Sequence, residues 1–398
     1  MNGFPSGLAA GLRLLALLAL SAASRPLAAA PAGFYLCAAL NKGYVTGSKI
    51  TTVSGLFKRD GAGGWQHIGY NDLSITAAAF DPRDHSVIYT AAVNGCWRTL
   101  DAGKTWRCCT SWDMTEPMEV SVDPHAPDNV YLALPDGIAV SPDRGQTWRQ
   151  TNGWDITEGR DVAVDPRSPD HVYLALPDGV AVSPDRAQTW VRRENGLPER
   201  GKYTQAIHVD RAQAGRVLAG CETGIYLTEN GAQSWRRVFP TQDTVTDLQQ
   251  SPADPKLWLA ATQSAGALIS RDGGLTWALM TGTPTDKAIY NITFDGSNPA
   301  RFALCGWTIG VMTSEDSGAT WTERNAGLPG KKAGFRMPCD PPPHSVWRVG
   351  VDPDSGRLYA SVVGEALYVS DDFGRTWKSL GLEGSAVNRF IFLPHAGN

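Results

Sequence analysis

A short pattern recurs eight times along the 398 residues of this chain, and it limits the possible folds more than any other feature. The full pattern is Ser or Thr, any residue, Asp, any residue, Gly, two further residues and Trp, as from Thr99 to Trp106, and the copies at 58–65, 183–190 and 228–235 are degenerate. The eight terminal tryptophans are Trp65, Trp106, Trp148, Trp190, Trp235, Trp277, Trp321 and Trp377. Because they follow one another at intervals of 41 to 56 residues, the sequence predicts one repeated supersecondary unit rather than unrelated domains.

Each repeat contains the signals of four short strands. In the third repeat an apolar alternating segment at 120–122 ends in Asp-Pro, and a second apolar segment follows at 130–133. Gly137 then leads into a third strand that ends at the repeated pattern, and Trp148 begins a fourth strand. Four short strands in each repeat of this length are typical of a β-propeller blade, so we expect an all-β fold.

The two ends of the chain indicate how the ring closes. The first repeat has a second strand at 34–38 but no strand ending in Asp-Pro before it. The apolar alternating segment at 388–394 follows the last repeat and aligns with that missing strand. The sequence therefore predicts a single domain over 31–398 with eight four-stranded blades, in which a C-terminal strand completes the N-terminal blade. A seven-bladed ring with one displaced repeat is the alternative.

The repeated pattern is an Asp box, and the sequence resembles the Asp-box (BNR) β-propeller superfamily over 34–394. That superfamily includes sialidases, xyloglucanases, sortilin-type receptors and photosystem II assembly factors, so the resemblance implies a fold rather than a function. Within each box we expect the Asp to accept backbone hydrogen bonds and the Gly to adopt a conformation that is costly for other residues. One carboxylate in each loop is too few for calcium, and no Cys/His spacing suits zinc, so we expect neither a metal nor another cofactor.

The N-terminus has the pattern of a signal peptide. Arg13 precedes the apolar run 14–20 and the small residues 21–24, so we expect residues 1–30 to be a cleaved export signal. An uncleaved anchor is the alternative, and no later segment is apolar enough to span a membrane. The sequence thus predicts a secreted or periplasmic protein, and a net charge of -4 gives no reason to expect a nucleic-acid partner.

Export would place the cysteines in an oxidising compartment. Cys96 and Cys109 each lie three residues outside the ends of the second Asp box. They should therefore face each other across a β-hairpin, which predicts a disulfide.

The face of the propeller opposite the Asp boxes is the expected binding face, which we call the loop face. It is formed by the connections between consecutive blades and by those between the second and third strands of a blade. The residue four positions before the Asp of Asp-Pro, or before the residue aligned with that Asp in repeats that lack Asp-Pro, should lie in the innermost strand near the mouth of the central channel. These residues are Ala77, Glu119, Asp161, Ala206, Asp247, Asn291, Arg348 and, by alignment, Arg389. Their polar members either satisfy each other and ordered water, or form a polarised pocket.

Aromatic residues also map to the loop face. Six tryptophans lie outside the boxes, and four of them fall in loop-face connections, where loop packing is the alternative to binding. Two loop-face connections, at 39–55 and at 322–345, are longer than their counterparts in the other repeats. The second of them carries Arg336. The predicted ligand-binding residues are Trp112, Asp113, Trp154, Asp155, Asn291, Trp307, Arg336, Trp347, Arg348 and Arg389.

Two functions remain open from the sequence. The first is an exported propeller that binds an extended ligand, a glycan or an extracytoplasmic polypeptide, on the loop face. The second is a glycoside hydrolase or a related polysaccharide-active enzyme that uses Glu119, Asp161 and Asp247. Two departures from the enzymes of the superfamily argue against the second function. Arg336 lies in a sialidase-like motif, but this motif is near the end of the chain rather than near its start. Xyloglucanases combine two propellers, whereas this chain is predicted to form one.

Overall fold

The computed structural model describes residues 33–40, 54–61, 63–72, 75–153, 156–306, 308–329 and 345–393. Their strands form eight antiparallel sheets of four, and these residues contain no helix. Accordingly, the described residues include no helix that could cross a membrane. The predicted signal peptide at 1–30 lies outside the described residues.

Corresponding strands occupy the same place in every blade, from blade 1 to blade 8. The innermost strands are, in that order, β32 (Ser385–Leu393), β4 (Ile75–Asp81), β8 (Glu119–Val122), β12 (Asp161–Val164), β16 (Thr204–Val209), β20 (Val245–Gln250), β24 (Ile289–Phe294) and β28 (Val346–Val351). The second strands are β1 (Gly33–Leu40), β5 (Asp84–Ala92), β9 (Val130–Leu134), β13 (Val172–Leu176), β17 (Val217–Cys221), β21 (Trp258–Thr262), β25 (Phe302–Gly306) and β29 (Leu358–Val362).

The third strands lead into the Asp boxes, and the fourth strands leave them. The third strands are β2 (Gly55–Arg59), β6 (Gly95–Thr99), β10 (Gly137–Ser141), β14 (Gly179–Ser183), β18 (Gly224–Thr228), β22 (Ala267–Ser270), β26 (Gly310–Ser314) and β30 (Ala366–Ser370). The outermost strands are β3 (Trp65–Ile68), β7 (Arg107–Cys108), β11 (Arg149–Asn152), β15 (Val191–Arg192), β19 (Arg236–Pro240), β23 (Ala278–Leu279), β27 (Thr322–Glu323) and β31 (Lys378–Ser379). Five of the outermost strands have only two residues, and such short strands leave little free sheet edge.

The C-terminal strand closes the ring. β32 pairs antiparallel with β1 from Gly33 opposite Leu393 to Leu40 opposite Ser385, with one bulge. Each innermost strand contacts the innermost strand of the next blade, and β32 contacts both β28 and β4. The prediction of eight blades with C-terminal closure is confirmed, and the seven-bladed alternative is wrong.

The core lies between neighbouring blades rather than at one centre. Tyr173 and Val182 of blade 4, for example, pack with Ile207 and Val217 of blade 5. The second strands are buried along most of their length because a neighbouring blade covers each of their two faces. This explains why these strands are continuous apolar runs rather than alternating segments.

The Asp boxes adopt the expected turn. Asp101 accepts hydrogen bonds from the backbone N–H of Thr105 (2.9 Å) and from its hydroxyl (2.6 Å), and the Thr99 hydroxyl also donates to it (2.7 Å). The Thr105 hydroxyl is the main cause that lowers the pKa of Asp101 to about 2. Ala102 and Gly103 both have positive φ, which joins strands with the right-handed twist of a sheet.

Three box tryptophans connect their blade to the preceding one. The indole N–H of Trp235 donates to the Arg193 carbonyl of the preceding blade (2.8 Å). Trp377 makes the same bond to Arg324 (2.7 Å), and Trp65 donates to Leu380, which joins blade 1 to blade 8 (2.9 Å). The box face is therefore a structural face.

Candidate functional site

A β-bulge marks the beginning of the innermost strand in six blades. The pairing register skips one residue there, and the six skipped residues are Thr76, Gln205, Thr246, Tyr290, Trp347 and Asn388. We call them the bulge residues. They lie where the chain arrives from the preceding blade, which is the loop-face end of the central channel. Bulges redirect side chains and are frequent beside binding and catalytic sites.

Three bulge residues bind the next blade. The Thr76 hydroxyl donates to the Pro117 carbonyl (2.9 Å), and the Thr246 hydroxyl donates to the Ile289 carbonyl (2.6 Å). The Asn388 amide donates to the Ile75 carbonyl (3.0 Å), across the closure of the ring. These bulges therefore hold neighbouring innermost strands together at the channel mouth.

The residues after the bulges include a second set of bonds between blades. Asp247 accepts from the backbone N–H of Ile292 (3.1 Å) and from the Asn291 amide (3.1 Å), while Gln249 donates to its other oxygen (2.9 Å). Asn291 accepts from the backbone N–H of Val349 in blade 8 (3.0 Å). Both oxygens of Asp247 thus have donors, and this geometry gives Asp247 and Asn291 a structural role. The catalytic assignment of Asp247 stays a prediction that the contacts do not support.

Glu119 and Arg389 form an ion pair across blade 2. Arg389 of β32 donates to both oxygens of Glu119 in β8, with Nη1 to Oε1 at 3.0 Å. The corresponding position of blade 2 is Ala77, whose small side chain leaves room for this contact. Glu119 is buried, whereas 39% of the Arg389 side chain remains exposed. The pair therefore lies at the channel wall with its cationic end accessible to solvent.

Asp161 lies in the field of this ion pair. Burial and the charge of Glu119 raise the pKa of Asp161 to about 7, and Arg389 opposes the increase. Glu119, Asp161 and Arg389 thus form one electrostatic group, as their common sequence position predicts. Arg348, from the same predicted set, is half-buried in β28 of blade 8, which is adjacent to the blade that carries Arg389.

Exposed aromatic side chains lie on the loop face. Trp112, between β7 and β8, is 89% exposed, and its neighbour Asp113 accepts a hydrogen bond from Ser111. Trp347 is 41% exposed, and its ring lies 5.1 Å from that of Tyr290 at an angle of 57°. Trp154, Asp155, Trp307 and Arg336 lie outside the described residues.

Comparisons with known proteins agree with this fold. The family model for the BNR-Asp box repeat matches residues 367–380, which contain the whole of the last box, 370–377. Together with eight blades that each carry such a turn, this decides the superfamily. The chain is a BNR/Asp-box β-propeller. No curated protein sequence matches this propeller significantly.

Solved structures resemble this propeller in fold only. A computationally designed protein, Ika8, has a TM-score of 0.55 and 11% identity, over 80% of this chain and 90% of that one. YCF48 from Cyanidioschyzon merolae has a TM-score of 0.50 and 13% identity, over 75% and 95% of the two chains. The GH74 xyloglucanase from Xanthomonas campestris has a TM-score of 0.46 and 15% identity, over 90% and 81%. Identities this low do not transfer an activity.

Sequence reasoning missed Tyr290 and Tyr203 on the loop face. Tyr290 is a bulge residue that pairs with Trp347, and the Arg160 guanidinium lies 5.4 Å from the centre of the Tyr203 ring. The available signal was an aromatic residue near the start of an innermost strand, five positions before Asp295 for Tyr290 and seven positions before Asp210 for Tyr203.

The predicted Cys96–Cys109 pairing has the expected geometry. Cys109 donates its backbone N–H to the Cys96 carbonyl (2.9 Å), next to the paired residues Trp97 and Cys108. Both cysteines are thiols in the structure, so the disulfide itself stays a prediction.

Proposed function

We propose that this propeller is an exported binding module that holds an extended ligand, a glycan or a polypeptide segment, on its loop face. The observation that carries the proposal is the almost complete exposure of the Trp112 indole in a connection between blades. A tryptophan side chain has about 150–250 Å² to bury, so leaving it in water forgoes a large stabilisation. Such exposure is expected where a partner covers the ring.

A second aromatic surface supports an extended ligand rather than a compact one. Trp347 on blade 8 and Tyr290 on blade 7 contact each other with tilted rings, whereas Trp112 lies between blades 2 and 3. Arg389, on blade 1, lies between these two surfaces around the ring and keeps part of its guanidinium accessible. Indole rings stack on sugar faces and on apolar side chains, and an arginine can donate hydrogen bonds to hydroxyl, carbonyl or carboxylate groups.

Alanine substitution of Trp112 tests this proposal. The purified protein would be measured against a polysaccharide panel by affinity electrophoresis and against a peptide array, followed by calorimetry of each hit. If Trp112 is a binding hot spot, Trp112→Ala should weaken binding by about 2 kcal/mol or more without changing the thermal midpoint. Leu100→Ala is the matched control, because Leu100 is 53% exposed on the box face. Equal effects of the two substitutions, or no effect of either, would refute the assignment of the loop face.

Hydrolysis is the second candidate, and one observation favours it. Asp161, a carboxyl with a pKa of about 7, lies near Glu119, a carboxyl that binds an arginine, and carboxyl groups in unequal environments are the basis of acid–base catalysis. Reducing ends released from bound polysaccharides would be the decisive product. Loss of turnover in Asp161→Asn with unchanged affinity would establish the enzyme, whereas binding without any turnover in the wild type leaves the binding module.

A further inference from the structure

A solvent-open cavity of about 680 Å³ lies at the rim of the propeller, between blades 2 and 3. Cys108 and Cys109 line it from blade 2, and Gly145 and Trp148 line it from the Asp box of blade 3. It lies at the rim rather than at the channel mouth, and Ser111 and Met114, on either side of Trp112, also line it. Its lining contains two arginines, Arg98 and Arg107, and no carboxylate.

A second thiol, that of Cys96, lies on the strand that pairs with the one directly before Cys109. Cys96 is fully buried, and the Cys109 thiol lies 3.2 Å from the Cys96 carbonyl oxygen across the hairpin of β6 and β7. Residues that face each other with such a backbone hydrogen bond have Cα atoms about 5.5 Å apart. That separation is within the range of protein disulfides, so the two sulfurs can bond with little backbone movement.

The two thiols differ in the way that exchange requires. A hydrogen bond from the Cys96 thiol, helped by the positive charge of Arg98, lowers the pKa of Cys109. Burial raises the pKa of Cys96 well above its ordinary value. Cys109, which lines the cavity and has the lower pKa, is therefore the thiol that attacks first, and Cys96, which is fully buried, acts second.

The box tryptophan of blade 3 also lines the cavity beside Cys109. Trp235 and Trp377 donate their indole N–H to the carbonyl of the residue three positions after the preceding blade's box tryptophan. Cys109 holds that position in front of Trp148. Among the described residues, the Trp148 indole nitrogen is buried without a hydrogen-bond partner. The cavity is therefore lined by both the Cys109 thiol and an indole N–H that no group in the described part of the chain accepts.

We propose that Cys109 and Cys96 form a thiol–disulfide exchange site that accepts a low-molecular-weight disulfide carrying carboxylate groups. The Cys109 thiolate attacks one sulfur of that disulfide, forms a mixed disulfide and releases one thiolate. Cys96 then gives its proton to water and attacks the Cys109 sulfur, which releases the second thiolate and closes the Cys96–Cys109 bond. The two protein thiols are oxidised by two electrons, and the small disulfide is reduced to two thiols. Arg98 and Arg107 supply the charge that favours an acidic reagent.

Glutathione disulfide, which carries carboxylates, is the probe for the test. The reduced full-length protein, with Cys339→Ser to remove the cysteine outside the described residues, would be incubated with the probe, quenched and mapped by mass spectrometry. The wild-type pair should lose two thiols and keep no adduct. Cys96→Ser should accumulate the mixed disulfide at Cys109, and Cys109→Ser should remain unmodified at Cys96. Cys108→Ser is the matched control and should behave as the wild-type pair does.

The charge of the cavity gives an independent readout. Arg107→Gln should slow the reaction with glutathione disulfide roughly tenfold at low salt, but not that with the uncharged hydroxyethyl disulfide. Adducts carried by Cys108, or a failure of Cys96→Ser to trap one at Cys109, would overturn the proposal. Equal thermal midpoints of the variants would show that a lack of reaction is not a folding defect.

Discussion

The Glu119–Arg389 ion pair can be tested by a double-mutant cycle. Arg389→Met removes the guanidinium and leaves Glu119, whose side chain is only 11% exposed, without its bidentate partner. Removing one member of a fully buried pair costs about 3–5 kcal/mol. Because 39% of the Arg389 side chain is exposed and water screens part of the interaction, we expect about 2–3 kcal/mol for this pair. Glu119→Gln should cost about 1–2 kcal/mol, since Arg389 can turn to solvent.

The double variant decides the result. If the two side chains stabilise the ring mainly through each other, Arg389→Met with Glu119→Gln should cost no more than the worse single variant. The coupling energy should then be about 1–2 kcal/mol, measured from urea unfolding at pH 7. Additive single effects, or single effects below about 0.5 kcal/mol, would refute the role of this pair in closing the ring. The arginine would then be free to serve a ligand instead.

The same variant should change the pH dependence of folding. Asp161 has a folded pKa of about 7, above the value of about 3.9 that is expected for an unfolded chain. Its protonated form therefore stabilises the fold fully below pH 4, and this stabilisation is lost as the pH rises through 7. Since Arg389 lowers the pKa of Asp161, Arg389→Met should move that loss to higher pH.

Three further outcomes follow from the fold. Gly103→Ala should lower the free energy of unfolding by about 2–3 kcal/mol, because the new Cβ would lie 1.8 Å from Ile68 Cγ2. Gly145→Ala is the control and should cost about 1 kcal/mol, because its new Cβ would have its nearest neighbour at 3.3 Å. Equal thermal midpoints of the two variants would contradict this difference. Asp161→Asn should remove the stability decrease between pH 4 and 7, and urea midpoints across that range would show an unchanged slope if the assignment is wrong. Deletion of 385–398 should abolish the cooperative unfolding transition in calorimetry, and a transition at the wild-type temperature would contradict closure by β32.

The blade count and the closure could be predicted because both depend on local, repeated signals. The Asp and the Gly of an Asp box serve a single turn, and enough of the pattern is kept in each copy, even where Ala187 or Ala232 replaces the Gly, for every copy to be recognisable. Closure required only that the segment 388–394 fill the one vacant strand position. The bulges were not predictable in the same way. A bulge depends on how the innermost strand pairs with its neighbour, and residues as different as Thr76 and Trp347 occupy it.

The candidate site, like the fold, could be predicted only in part. A single offset from Asp-Pro placed Glu119, Asp247 and Arg389 near the channel mouth, but it could not assign their partners. Arg389 reaches Glu119 because Ala77 leaves room between them, and this depends on the side chains of three blades at once. Asp247 bonds to the backbone of the next blade, which no side-chain pattern reveals. The sequence left two interpretations of these polar residues open, namely hydrogen bonds among themselves or a polarised pocket. The two interpretations therefore apply to different parts of one ring.

The two parts of the ring have different physical properties. On blades 6 to 8, Asp247 accepts hydrogen bonds from blade 7, and Asn291 accepts one from the backbone of blade 8. Their hydrogen bonds therefore hold neighbouring blades together. On blades 1 to 4, Glu119 and Arg389 bond to each other, and part of the Arg389 side chain is exposed. A ligand that crosses from Trp347 to Trp112 would pass this arginine, whose ion pair does not join neighbouring blades. The bonds of Thr76 and Asn388 to the next blade lie in the same part of the ring. The channel mouth therefore combines groups that hold neighbouring blades together with a partly exposed arginine.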